Sequence, residues 1–107
     1  MQLDALDPRV RPWAEYLVQI GQQYDPALTI TSVRRSSSEQ ARLYRRFLAG
    51  QSLYPAAPPG QSKHEFGLAW DMVGNKDVIA WLGGVWESWG GTWGGRFGAA
   101  DPIHFEV

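Results

Sequence analysis

Cysteine is absent from the 107-residue chain. That excludes a disulfide framework, a thiolate nucleophile and the Cys-rich ligand sets of structural zinc. Histidine occurs only twice, at His64 and His104, so each position carries weight. No apolar run reaches the ~18 residues of a membrane-spanning helix. The opening MQLDALDPRVRPW lacks the basic-then-apolar layout of a secretory signal, so delivery out of the cytoplasm is expected to depend on something else. Neither charge sign dominates: the net charge of −1 offers no global field for nucleic acid or an anionic membrane. Internal repeats and low-complexity tracts are missing too.

What remains is an ordinary globular mix, with 44% hydrophobic and 20% charged residues, so a packed core is expected. Residues 1–107 are expected to form one domain, because two halves would each be too small to hold a core. A monomer is the expected state. Four of the six Trp (Trp81, Trp86, Trp89 and Trp93) fall within thirteen positions. Core packing is the plainer reading of that cluster; a carbohydrate or peptide groove is the sharper one. Arg42, Arg45 and Arg46 stand at helical spacing beside Leu43 and Phe47, which reads as a solvated helix face, with a phosphate or cell-wall contact as the alternative.

Asp7-Pro8 predicts the start of a first helix, with Val10, Trp13, Leu17 and Ile20 as its apolar face and Pro12 tolerated near the first turn. Asp25-Pro26 predicts a turn, and the alternating, β-branched segment Leu28–Val33 a strand. Ser36 and Glu39 form a capping box for a second helix, striped with Leu43, Phe47 and Leu48 and stopped by Gly50. Residues 51–61 hold three prolines and predict a stiff loop that forms one lip of any site nearby. Gly67–Val73 reads as a strand. Asn75 or Asp77 would cap a third helix carrying Val78, Trp81, Leu82, Val85 and Trp89, in which Gly83 and Gly84 each cost about 1 kcal/mol. Residues 90–100, with five glycines, read as a turn-rich loop, and Ile103–Val107 as a closing strand. The expected fold class is α+β: a small antiparallel sheet packed on N-terminal helices, with a metal site on the sheet.

His64 and Asp71 are seven positions apart, which on an unbroken strand would put them on opposite faces. A bulge at Gly67 would bring them to one face and send Leu68 and Trp70 to the core. His104 joins them if the last strand lies beside Gly67–Val73, with Glu106 on its own side and Phe105 and Val107 on the other. Two imidazoles and one carboxylate leave a fourth tetrahedral position, the pattern of catalytic zinc. Such a site needs a general base. Asp101, three residues before His104 and stiffened by Pro102, is the candidate, alongside its plainer role as a turn-initiating Asp-Pro. A Ser62–His64–Asp71 hydrolase triad is set aside because no nucleophile elbow is present.

The spacing Ser62-x-His64-x-x-Gly67-x-Ala69-x-Asp71, followed by Asp101-x-x-His104-Phe105-Glu106, resembles the zinc peptidases that cut bacterial cell-wall stem peptides. These include D-alanyl-D-alanine carboxypeptidases and dipeptidases, and the L-alanyl-D-glutamate endopeptidases of phage lysins. Thr31–Ser36 with Glu39-Gln40 is similar to that family's strand–Arg–helix segment, and Trp93-Gly94-Gly95 to its glycine-rich approach to the last ligand. The resemblance spans residues 28–107. It implies Zn²⁺ held by His64, Asp71 and His104, with Asp101 as base. It implies Arg35, with Arg34 beside it, at an oxyanion or substrate carboxylate, and Ser62 and Gln40 near the substrate. Asp rather than Glu at the base position resembles the endopeptidase branch, so the implied reaction is hydrolysis of the L-Ala–D-Glu amide of peptidoglycan. A D,D- or L,D-carboxypeptidase is the alternative on the same site, and a non-catalytic zinc- or wall-binding module the alternative of another class. The implied setting is the cell wall or periplasm, reached after release from the cytoplasm or as part of a phage particle; an intracellular recycling enzyme fits as well.

Overall fold

The computed structural model describes residues 2–107. Along the chain run helix α1 (Arg11–Tyr24), strand β1 (Thr29–Ser32), helix α2 (Ser37–Leu48), strand β2 (Ala69–Val73), helix α3 (Lys76–Ser88), strand β3 (Thr92–Trp93) and strand β4 (His104–Glu106). The strands form one antiparallel sheet in the order β1-β2-β4-β3. This is the expected α+β class.

The two central strands position the site. Trp70 pairs with Phe105 and Asp71 with His104, so the pleat sends one pair to each face. Trp70, Met72 and Phe105 are fully buried, and the Trp70 and Phe105 rings stack 5.5 Å apart. Each such side chain contributes roughly 1.5–3 kcal/mol by leaving water. The opposite face presents Asp71 and His104.

Helix α1 begins at Arg11, three residues beyond the start that Asp7-Pro8 signals. The Asp7 carboxylate accepts the Arg9 backbone N–H and guanidinium instead, and the Asp7 carbonyl receives the Val10 and Arg11 N–H groups. Asp7 therefore closes a turn, and Pro12 takes the early helical position. The buried face is Ala14, Leu17, Val18 and Gly21, so Trp13 is exposed rather than buried. A Cβ at Gly21 would lie 2.6 Å from Leu82 and 2.7 Å from Leu28; close approach selects the face with the smallest residues.

Helix α3 is capped by Asn75, whose side chain accepts from the Asp77 and Val78 N–H groups. It buries Ile79, Leu82, Gly83 and Trp86 and leaves Trp81 and Trp89 partly in water, one position off the expected stripe. The reason is Gly83: any Cβ there would land on the Trp93 indole, whereas nothing lies within 4 Å of Gly84. The two neighbours should thus respond oppositely to Ala. We expect Gly84→Ala to raise stability by up to about 1 kcal/mol through helix propensity. Gly83→Ala should lower it by about 1–3 kcal/mol through overpacking. Urea unfolding midpoints check both.

Ser36 caps α2 by accepting from the Glu39 N–H. Gly50, at φ +73°, ends it, with Gly50 N–H donating to the Phe47 carbonyl and Gln51 N–H to that of Arg46, a Schellman closure. The expected stripe of α2 does not enter the core: Leu48 is 65% exposed, and Gln40 is the residue of this helix that is buried. Helix α2 flanks the site instead of filling the interior.

SKHEFG is not strand. Lys63–Phe66 form a 3-10 turn, capped by Ser62 Oγ on the His64 N–H and ended by Gly67 at φ +71°. The expected bulge is therefore replaced by a turn. Ser62 and Gly67 act as N-cap and left-handed C-cap, and a period-2 facing argument does not apply to a helical turn. The expected loop 90–100 also contains β3 and a 3-10 turn at Gly94–Arg96, because Thr92 and Trp93 extend the sheet beside β4.

Candidate active site

The 3-10 turn delivers His64, β2 delivers Asp71 and β4 delivers His104, all three buried. One donor atom from each lies within 4.8 Å of the others. His64 Nε2 and His104 Nδ1 each stand 3.2 Å from Asp71 Oδ1. The outward nitrogens are engaged: His64 Nδ1 is 2.6 Å from the Val33 carbonyl oxygen, and His104 Nε2 is 2.7 Å from Glu106 Oε1. Both partners are acceptors, so each outward nitrogen carries the hydrogen. In the neutral rings the inward nitrogens are then lone pairs facing a carboxylate. Three electron-pair donors converge, an arrangement stable only around a cation or added protons. Tetrahedral ligands at ~2.1 Å from zinc stand roughly 3.4 Å apart, so the donors fit Zn²⁺. His64, Asp71 and His104 would hold it, with Val33 and Glu106 fixing the two rings from behind.

Arg35 lies behind Asp71. Its Nη2 donates to Asp71 Oδ2 at 2.9 Å, Nε to Ser32 Oγ at 3.1 Å and Nη1 to Gln40 Oε1 at 3.2 Å. This leaves Asp71 Oδ1 for the imidazoles. Arg34, by contrast, is exposed. Gln40 is fully buried and also donates to the Ala57 carbonyl at 2.9 Å, tying the loop at 51–61 to Arg35. Ser62 is buried as the cap of the His64 turn and lines the cleft. Asp101 shares the cleft: its N–H donates to the Gly94 carbonyl and its carbonyl accepts the His104 N–H. A Cβ on Gly94 would land on the Asp101 carbonyl, so glycine permits this approach. Asp101 Oδ1 is buried with no hydrogen-bond partner among the described residues. The cleft, about 490 Å³, is lined by Tyr54, Pro55 and Ala57 together with Phe97 and Ile103. The loop at 51–61 thus forms the expected lip.

The charges are strongly coupled. Burial pushes Asp71 upward, but its hydrogen bonds with His104 and His64 win and hold it well below the usual carboxylate range. Burial pulls His104 down, yet hydrogen bonds to Asp71 and Glu106 outweigh it and raise the group from 6.5 to about 9. The hydrogen bond to His104 lowers Glu106 against the opposing effect of burial. Burial, with the Asp71 charge next, raises Asp101.

A pH dependence of the metal-free protein follows. The raised His104 pKa contributes stability that is complete below its unfolded value of 6.5 and disappears as pH rises through about 9. The lowered Asp71 pKa contributes stability above its unfolded value of 3.8 that is lost in acid. We expect the Tm of chelated protein to fall between pH 6.5 and 9, and added zinc to remove that fall, because the metal needs unprotonated imidazoles. Thermal scans with and without chelator check it.

Sequence reasoning placed Glu106 beside His104 but gave it no task; its i, i+2 position on the same strand face is the signal that could have done so. Nothing in a sequence marks the Val33 carbonyl, and Ser32, although inside the Thr31–Ser36 segment, was given no role.

An interior donor set of this kind beside an unpartnered carboxylate is the chemistry of a zinc-dependent hydrolase. Residues 4–89 match the family described as VanY, D-alanyl-D-alanine carboxypeptidase. The chain belongs to that family and is an enzyme of the zinc-dependent peptidoglycan peptidase class. His64 and Asp71 lie inside the matched residues; Asp101 and His104 lie beyond them. No curated protein matches the chain in sequence. Solved structures share its fold. The L-Ala D-Glu endopeptidase ChiX of Serratia marcescens is 20% identical with a TM-score of 0.66, covering 99% of this chain and 83% of that one. The L,D-carboxypeptidase DacB of Streptococcus pneumoniae is 22% identical with a TM-score of 0.70, covering 98% and 69%. A mutant of the vancomycin-resistance D,D-pentapeptidase VanY from a VanB-type cassette, in complex with Zn(II), is 18% identical with a TM-score of 0.73, covering 95% and 72%. No helix among the described residues is long and apolar enough to cross a membrane.

Proposed function

We propose that the chain hydrolyses the L-alanyl-D-glutamate bond of peptidoglycan stem peptides. His64, Asp71 and His104 act as zinc ligands and Asp101 as general base. The observation that carries this reading is the convergence of three inward lone pairs beside the buried, unpartnered Asp101 Oδ1. Zinc held there would supply Lewis acidity, for the substrate carbonyl and for the attacking water. Asp101 takes the proton of the attacking water and returns it to the leaving amine, and its raised pKa suits a group that must both accept and release. Arg35 keeps Asp71 aimed, and Glu106 keeps the Nδ1 lone pair of His104 turned inward. Ser62 and Gln40 serve the substrate indirectly, by shaping the turn and the lip that line the cleft. Every residue used belongs to one chain, so a monomer suffices. A wall-degrading lysin or a component of a phage particle is the setting that suits this activity.

Asp rather than Glu as the base favours the endopeptidase reaction. A D,D- or L,D-carboxypeptidase remains the second reading on the same site. Digestion of purified peptidoglycan, with and without chelator, followed by mass spectrometry of the new termini separates them. We expect new amino-terminal D-Glu and carboxy-terminal L-Ala, both abolished by chelation. Release of a single terminal residue would establish the carboxypeptidase, and intact peptidoglycan that retains the bound protein would establish a non-catalytic module.

A further inference from the structure

Part of the tryptophan content is not spent on the core. Trp70 and Trp86 are buried, but Trp13 is 56% exposed and Trp89 37%. These two rings lie 6.0 Å apart, Tyr16 stacks on Trp89 at 5.6 Å, and Trp86 approaches Trp89 at 6.3 Å. With Arg9 and Lys63 at its rim, Trp13, Trp86 and Trp89 line a second groove of about 460 Å³. Lys63 is the one residue that lines both this groove and the catalytic cleft, and it directly precedes His64. The Arg9 side chain is 85% exposed although it pairs with Asp7. Lys63 donates to the Val107 carbonyl at 2.7 Å and stands 3.9 Å from Glu106.

A grouped, half-exposed aromatic surface rimmed by polar groups marks recognition. Indole faces are electron-rich, and the C–H face of a pyranose ring is weakly positive and flat, so the two stack. Hydroxyl and acetamido groups at the ring edge then need polar partners, and the carboxylates of attached peptides need cations; Lys63 and Arg9 supply both. The inference rests on the reading proposed above, which sets how far the glycan can lie from the cleft. L-Ala is the peptide residue joined to the sugar, so its carbonyl lies one residue and a short lactyl link from the glycan. One extended residue spans about 3.5 Å, so the strand has to lie within about 10 Å of the bond being cut. The groove meets the cleft at Lys63, the residue next to His64, and so borders the side from which a glycan-linked peptide could enter.

We propose that this groove binds the amino-sugar strand that carries the stem peptide, making the protein a reader of glycan-linked substrate. The test uses the full chain with zinc and two substrates: peptide-bearing glycan strands and the free stem peptide. For Trp13→Ala we expect KM on the glycan-linked substrate to rise about tenfold, the size of one lost stacking contact, with kcat unchanged and the free peptide cut as before. Trp13→Tyr, which keeps a ring, should recover most of the loss. Separately, peptide-free glycan strands should quench the tryptophan fluorescence of chelated wild-type protein. Equal effects on both substrates, absence of quenching with wild type, or a concentration-dependent dimer buried on this face would overturn the proposal. Failure of wild type to cut either substrate would instead sink the activity proposed above, while quenching by the glycan would still register the groove.

Discussion

Asp101→Asn should bind a full equivalent of zinc and turn over about 10²–10⁴-fold more slowly than wild type, the usual contribution of a positioned acid–base group. The change keeps shape and removes only proton affinity. Asp101 stands outside the group formed by His64, Asp71 and His104, so metal content should not change. Stability should hold or rise, because burial already raises the Asp101 pKa and the amide carries no charge to desolvate. Metal analysis, urea unfolding and product formation on one preparation test all three. Turnover near wild type would remove Asp101 from the mechanism.

The second large effect is expected for Asp71→Ala. Its Oδ1 faces both imidazoles and its Oδ2 takes Arg35 at 2.9 Å. Truncation removes a ligand and strands the Arg35 guanidinium, 16% exposed, without its anion. Breaking a buried pair in this way costs about 3–5 kcal/mol. We expect undetectable hydrolysis, substoichiometric zinc and a lower urea midpoint that persists in chelator. That persistence separates the lost ion pair from the lost metal. A midpoint equal to that of chelated wild type would show that the Arg35 contact contributes nothing.

The residues that meet in the site were legible from residue type and order. A chain with two histidines and no cysteine offers few ways to build a metal site, and the alternation in Ile103–Val107 correctly put His104 and Phe105 on opposite faces. The route by which His64 arrives was not legible. Ser62 and Gly67 bracket it as caps of a turn, but a short run ending in Gly-Leu-Ala-Trp reads equally well as the start of a strand. Arg35 was legible as a cation near the site, but its commitment to Ser32, Gln40 and Asp71 was not. That commitment depends on β1, α2 and β2 meeting, and no spacing along the chain encodes it.

By itself, the sequence determined the punctuation and the chemistry of this protein. Ser36, Asn75 and Gly50 begin or end helices through bonds to their own neighbours, and the donor set follows from which side chains exist at all. Only the tertiary structure decided which faces of α1 and α3 turn inward, and so that Trp13 and Trp89 border a groove instead of filling the core. Adjacent positions on a helix differ by about 100°, and both candidate faces are apolar. The choice therefore falls to packing between distant elements, where Gly21 meets Leu82 and Gly83 meets the Trp93 ring.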